Sequence, residues 1–293
     1  MSKRDLLRLF LLAAIWGASF IFMRILAPAI GAGLTVFLRL MLAGIALLIG
    51  FKAAGYDFET RKYWKQYLVT GAVNSALPFL LYAYAALHMP ASYMSILNSS
   101  TPLFGVLFSA LWLGESLTLQ KLAGLAMGSI GVALVAGTGA AGMDSHFVSA
   151  ALACLAGSSC YAVAGIYIKK FAVGVKPAGI ATCSQLAASI ILLPTFLDLP
   201  PVAVFTPLVL GSIFMLSLVC SGIAYLLYFS LMESAGPSKA LTVTFLVPGF
   251  GMVWASLFLH EHITAAMLAG CLLIIAGTAC VIGLFGRKKT TSA

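Results

Sequence analysis

ALWLGESLT at residues 110–118 returns 146 positions later as SLFLHEHIT at 256–264. The same offset pairs Ser92 with Ser238, Pro102 with Pro248, Phe104 with Phe250, Gly105 with Gly251 and Glu115 with Glu261. It runs on through Ala123-Gly124 and Ala269-Gly270 to Gly131 and Gly277. Neighbouring offsets, of 144 and 145, align Tyr84 with Tyr228 and the stretch from Trp16 to Arg24 with that from Tyr161 to Lys169. Chance does not readily align so many prolines, glycines and glutamates, so the chain reads as one unit written twice.

The unit is built for lipid. Of 293 residues, 62% are hydrophobic and 9% charged, and the mean hydropathy is +1.07. A soluble globule needs roughly a quarter of its residues charged, so a soluble or a disordered chain is excluded. The net charge of +9 comes from short basic clusters between apolar runs. A nucleic-acid surface would gather them on one face, so no nucleic-acid partner is expected. The cysteines Cys154, Cys160, Cys183, Cys220, Cys271 and Cys280 all lie in apolar stretches without ligand spacing, and no metal or cofactor is expected. The first apolar run follows Lys3, Arg4 and Arg8 and continues to Ala27 without a cleavage site, which makes it a span rather than a removable signal.

About 20 apolar residues cross about 30 Å of hydrocarbon as a helix. Cutting at charges and Gly/Pro breaks predicts ten spans, near residues 8–27, 32–51, 66–86, 91–113, 121–138, 147–168, 178–197, 206–230, 238–259 and 264–285. Lys and Arg favour cytoplasmic loops, and ten spans with both termini inside place nearly all of them there. Of the 17 basic residues, 15 fall in the inside segments, and the two exceptions, Arg24 and Arg39, are in or at the end of spans. Barrel strands are excluded, because their lumen face would alternate polar with apolar residues.

Five spans per unit is an odd number, so the second unit enters the membrane upside down relative to the first. The expected architecture is all-α and integral to the membrane: ten transmembrane helices in two inverted five-helix repeats, 1–140 and 145–286, then a basic cytoplasmic tail at 287–293. Many secondary transporters place a midplane site between such repeats. Each half has a Pro-containing span, an acidic E-x-x-T turn and a Gly-rich span, and the chain opens with A-x-W-G-x-S-F at Ala14 to Phe20 and carries Arg39 in span two. In these features the whole chain resembles the EamA-type members of the drug/metabolite transporter superfamily, and its proportions look most like the YddG-type exporters. The resemblance implies a multi-pass plasma (inner) membrane carrier for small molecules, not an enzyme. It also implies spans one, three, four, six, eight and nine around a central cavity, and substrates such as aromatic or neutral amino acids or cationic aromatic drugs.

Helical spacing picks out candidate binding residues. Ser92, Ser95, Ser99 and Pro102 share a face of span four with Asn98 beside them; Asn74, Pro78 and Tyr82 share one on span three, and Ser217, Ser221, Tyr225 and Tyr228 one on span eight. Such hydroxyls either bond helix to helix or meet a substrate. A proline inside a helix frees the carbonyl four residues earlier: Asn74 for Pro78, Asn98 for Pro102 and Thr244 for Pro248. Pro78, Pro102 and Pro248 are therefore candidate hinges. With the aromatic residues near these faces, the expected substrate-binding set is Trp16, Pro78, Phe79, Tyr82, Ser95, Asn98, Ser99, Tyr161, Ser221, Tyr225 and Thr244.

All eight acids lie in loops or at span ends, so no carboxylate relay crosses the middle and movement down the substrate's own gradient is expected. No Ser/His/Asp set or phosphate loop suggests catalysis, leaving a membrane enzyme as the rival class. Arg39 stands inside an apolar run, where an unpaired charge costs about 2.5–3.5 kcal/mol on insertion scales. It either snorkels or binds backbone carbonyls, or it captures a substrate carboxylate. Small residues such as Gly124, Gly131, Gly270 and Gly277 allow close helix packing, within the chain or between copies; a monomer is possible.

Overall fold

The computed structural model describes residues 1–138, 145–198 and 204–283, so the tail at 287–293 and the junction between the repeats lie outside the described residues. It is helical throughout, with no strand among those residues. The principal helices are α1 (Lys3–Ile30), α2 (Ala32–Ala53), α3 (Thr60–His88), α4 (Ala91–Leu113), α5 (Leu119–Thr138), α6 (Ser145–Phe171), α7 (Pro177–Ile191), α8 (Pro207–Ala235), α9 (Val243–Leu259) and α10 (Ala265–Ile282). Eight of them are long and apolar enough to cross a membrane; α7 and α9, with 15 and 17 residues, are shorter.

Local sequence sets the boundaries. A capping box starts α1: Asp5 N–H donates to Ser2 Oγ at 3.1 Å, and Ser2 N–H donates to the Asp5 carboxylate at 3.0 Å. Ser234 Oγ donates to the other Asp5 oxygen at 2.7 Å, tying the start of α1 to the end of α8. The run expected at 178–197 is not one helix. Pro194 disfavours helical backbone at the residue before it, so α7 stops at Ile191 and a short 3₁₀ segment, Leu193–Asp198, follows. The run expected at 238–259 is likewise divided, into a short turn of helix, Pro237–Ala240, and α9.

Two helices are wound irregularly at matching places. A π-helical turn occupies Ala72–Ala76 in α3, just ahead of Pro78, and another occupies Met215–Ile223 in α8. The offset that aligns Tyr84 with Tyr228 carries the first onto the second. In α3 the wider turn accommodates the proline ring and its missing N–H. Helix α4 breaks at Ser99 and Ser100, and Pro102 opens its second segment instead of sitting inside a continuous helix. Asn98 accordingly ends a segment, and its carbonyl accepts from Thr101 Oγ1 at 2.8 Å. Pro248 does lie inside α9.

Helices α5 and α10 run antiparallel and touch through backbone. A methyl group added at Gly124 would lie 2.6 Å from the Gly277 carbonyl oxygen, and one added at Gly277 would lie 2.6 Å from that of Gly124. Gly131 and Gly270 meet in the same reciprocal way, at 2.7 and 2.9 Å. Gly124 aligns with Gly270 and Gly131 with Gly277 in the duplicated sequence, so equivalent helices cross head to tail about a local two-fold. The close-packing glycines are thus satisfied within one chain.

Candidate functional site

A cavity of about 470 Å³ lies among α1, α2, α3, α4, α6, α7, α8 and α9. Its midsection is aromatic. Trp16 packs against Tyr228 with ring centroids 5.4 Å apart and against Tyr225 at 6.5 Å, and Tyr161 stands 6.3 Å from both Phe79 and Tyr82. Polar tips come from Ser19, Asn74, Asn98, Thr101 and Thr244. Flat apolar walls with hydroxyl and amide tips suit a small amphiphilic ligand.

The cavity reaches the helix ends at Ile168, Pro177, Met232 and Leu241, beside Lys169, Lys176 and Lys239. A second recess of about 600 Å³ shares Pro177, Phe229 and Met232 with it at that same end. The opposite end is packed shut: Leu26, Ile30, Ala86 and Met89 are at most 1% exposed. There the Glu261 carboxylate accepts from the N–H groups of Ala91 and Ser92 at 2.8 and 3.0 Å and from Ser92 Oγ at 2.5 Å. It thereby caps the N-terminus of α4 from the loop between α9 and α10. Its repeat partner Glu115 caps no helix among the described residues; it is exposed and bridges Lys121 at 3.4 Å and Lys169 at 3.7 Å.

Of the residues expected from the sequence, Trp16, Phe79, Tyr82, Asn98, Tyr161, Tyr225 and Thr244 line the cavity; Pro78, Ser95, Ser99 and Ser221 do not. The serines spend their hydroxyls on their own helix, as short hydroxyl side chains commonly do. Ser95 Oγ donates to the Ser92 carbonyl at 2.8 Å and Ser99 Oγ to that of Ser95 at 3.4 Å. Ser95 also packs against Gly251 of α9, so the serine face of α4 meets another helix, while Asn98, Thr101 and Pro102 meet the cavity. The Pro78 carbonyl points toward Gly157 of α6. Tyr82, 2% exposed, places its hydroxyl 3.0 Å from Asn98 Oδ1 and 2.9 Å from Ser158 Oγ, fixing α3, α4 and α6 together. Tyr82→Phe leaves both partners short of a bond and is expected to cost about 1–3 kcal/mol, read as a lowered thermal midpoint in detergent.

Gln185 and Arg39 are among the lining residues outside the expected set. Gln185 donates Nε2 to the Ala181 carbonyl at 2.8 Å while its Oε1 has no partner among the described residues. Its signal in the sequence was a lone amide in an apolar run. Arg39 neither snorkels nor binds backbone: it is 6% exposed, its Nε donates to Ser221 Oγ at 2.8 Å, and its guanidinium carbon lies 3.7 Å from the centroid of the Phe79 ring. Ser221 thus reaches the site through Arg39.

A multi-pass helical membrane protein with a blind-ended cavity of this kind is built as a transporter. The EamA-like transporter family model matches twice, over residues 5–137 and 148–283. The chain belongs to that family, within the drug/metabolite transporter superfamily, and is a transporter of small molecules rather than an enzyme. It is 30% identical to the transporter YvbV of Bacillus subtilis (strain 168), over 91% of this chain and 86% of that one. It is 26% identical to the "Probable terminal-alkyne amino-acid exporter" of Streptantibioticus cattleyicolor, over 94% and 93% of the two chains. The "Probable amino-acid metabolite efflux pump" of Escherichia coli (strain K12) is 25% identical over 98% and 97%. A crystal structure at 22% identity superposes over 100% of both chains with a TM-score of 0.69, a likeness of fold.

Proposed function

We propose that this chain exports small amphiphilic metabolites, aromatic and neutral amino acids first, by alternating access and without ion coupling. The observation that carries the reading is the cavity, sealed at the Glu261 end and open beside Lys169, Lys176 and Lys239. Basic residues mark the cytoplasmic side, so the open end loads substrate from the cytoplasm. In this reading the ten helices are ten spans of a plasma (inner) membrane protein with both termini cytoplasmic. They form two inverted units, 1–140 and 145–286, followed by the cytoplasmic tail 287–293. The relatives named as amino-acid exporter and efflux pump support both cargo and direction.

Trp16, Phe79, Tyr161 and Tyr225 take the apolar part of the substrate; Asn98 and Thr244 present polar tips, and Tyr82 offers its ring while its hydroxyl holds Asn98. Pro78, Ser95, Ser99 and Ser221 act by holding these side chains in place. The π-helical turn ahead of Pro78, the break before Pro102 and the missing hydrogen bond at Pro248 inside α9 are where each half bends as access alternates. Liposomes loaded with labelled phenylalanine are expected to release it saturably, unchanged, and without an imposed pH gradient. Flux that stops when the pH gradient is removed would refute uncoupled movement. Flux of neither phenylalanine nor any neutral amino acid would refute the cargo.

A further inference from the structure

We propose that Arg39 is the anchor for a carboxylate on the transported molecule, so that the cavity takes monocarboxylates and zwitterions and rejects net cations. This rests on the transport reading of the same cavity and adds the charge class of its substrate. The guanidinium remains protonated under all ordinary conditions. It is 6% exposed and lines the cavity, yet no described carboxylate forms a salt bridge with it. Asp5, Asp57, Glu59, Glu115, Glu233 and Glu261 all stand in loops or near helix ends, and Arg39 is the one Lys, Arg, His, Asp or Glu among the described lining residues.

Its surroundings hold the guanidinium without neutralising it. One flat face lies over Phe79, 3.7 Å from the ring centroid. The Nε edge donates to Ser221 Oγ, whose own hydroxyl donates to the Leu216 carbonyl at 3.1 Å inside the π-helical turn of α8. Nη1 has a sulfur, Met23 Sδ at 3.5 Å, which is a weak acceptor. Four helices, its own included, thus fix the plane of a planar donor, while the hydrogen bond shown for its Nη edge among the described residues goes to a thioether. That edge matches the two oxygens of a carboxylate in the bidentate geometry for which arginine is suited and lysine is not. A buried charge without a counter-ion is retained where a partner arrives during function. The ammonium of an amino acid finds the faces of Trp16 and Tyr225 and the Asn98 amide in the same chamber. A cation without a carboxylate meets those same groups but leaves Arg39 unpaired as a like charge beside it.

The test is binding to the full chain in nanodiscs, with four probes of one ring: L-phenylalanine, 3-phenylpropionate, L-phenylalaninamide and 2-phenylethylamine. The two carboxylates are expected to bind about tenfold to a hundredfold more tightly than the amide and the amine. Arg39→Gln is expected to erase that preference, and Arg39→Lys to restore part of it. If Arg39→Gln fails to fold, the four affinities of the unaltered protein decide alone. Carboxylates that do not bind, or an amide or amine that binds as tightly, overturn the assignment, as does a folded Arg39→Gln protein with the preference intact. Labelled-phenylalanine flux in liposomes reports on transport separately, so a carrier that moves phenylalanine yet binds its amide equally well loses the anchor and keeps the function.

Discussion

Glu261→Gln is expected to open the sealed end of the cavity. The carboxylate accepts three hydrogen bonds at the start of α4, two from backbone and one from a hydroxyl. Hydrogen bonds to an ionised group are worth about 1.5–3 kcal/mol each, and a negative charge at a helix N-terminus adds about 0.3–1 kcal/mol. Glutamine keeps one acceptor oxygen and loses the charge, so this closed end should weaken by about 2–3 kcal/mol. Between two alternating states, that is a shift of about thirtyfold to a hundred-and-fiftyfold toward the state open at this end. Ser19 lines the cavity, so Ser19→Cys as the sole cysteine provides a reporter. A membrane-impermeant thiol reagent applied from the Glu261 side should label it much faster in the Glu261→Gln background. Equal labelling rates would reduce Glu261 to a helix cap without a gating role.

The duplication sharpens that expectation. Gly114 and His260, which precede the two glutamates, are both left-handed, with φ of 67° and 53°. The glutamate N–H groups donate to Ser109 and Ala255 respectively, again equivalent positions. The two turns are therefore built alike, but only one holds a helix end. For Glu115 the aligned partners are Pro237 and Ser238, and proline has no N–H to give. A seal at the second end would lack one of the donors that Ala91 and Ser92 provide, so Glu115→Gln is expected to shift labelling less than Glu261→Gln.

Much of the helical layout was legible because lipid imposes one rule along the whole chain: apolar stretches of sufficient length become helices, and charges fall at their ends. The runs read as 32–51 and 91–113 became Ala32–Ala53 and Ala91–Leu113. The deviations came where backbone chemistry overrode composition. Pro194 cut short a run that hydropathy reads as continuous, and the π-helical turn at Met215–Ile223 contains no proline to announce it. The cavity was legible in its aromatic residues, whose size gives them few other places to go. It was less so in the serines, since a hydroxyl that bonds its own helix looks the same in sequence as one that faces a ligand. Ser95 and Asn98 are three residues apart in one helical segment, yet Ser95 meets Gly251 and Asn98 meets the cavity, because they point about 60° apart around the helix. Arg39 shows the reverse limit. Its cost in lipid is plain from the sequence, but its neighbours come from three other helices, and their spacing along the chain carries no trace of that meeting.

Gly277→Val is expected to be the most damaging single change for folding. The first methyl would sit 2.6 Å from the Gly124 carbonyl oxygen and 2.7 Å from the Gly128 nitrogen, both of them backbone atoms that cannot swing aside. Valine adds two more carbons at the same place. Overpacking of a tight interface costs about 1–3 kcal/mol where side chains can adjust, and here the helices themselves must separate, which also loosens Gly131 against Gly270. In lipid, where apolar burial does not hold helices together, the close backbone approach is itself the source of the α5–α10 attraction. The expected result is a large fall in folded yield and thermal midpoint. Gly105→Val is the internal comparison, because a Cβ there meets nothing within 4 Å and leaves only the small propensity difference between glycine and valine. Equal stability of the two variants would place α10 away from α5, and with it would go the two-fold pairing through which the halves of the chain are joined.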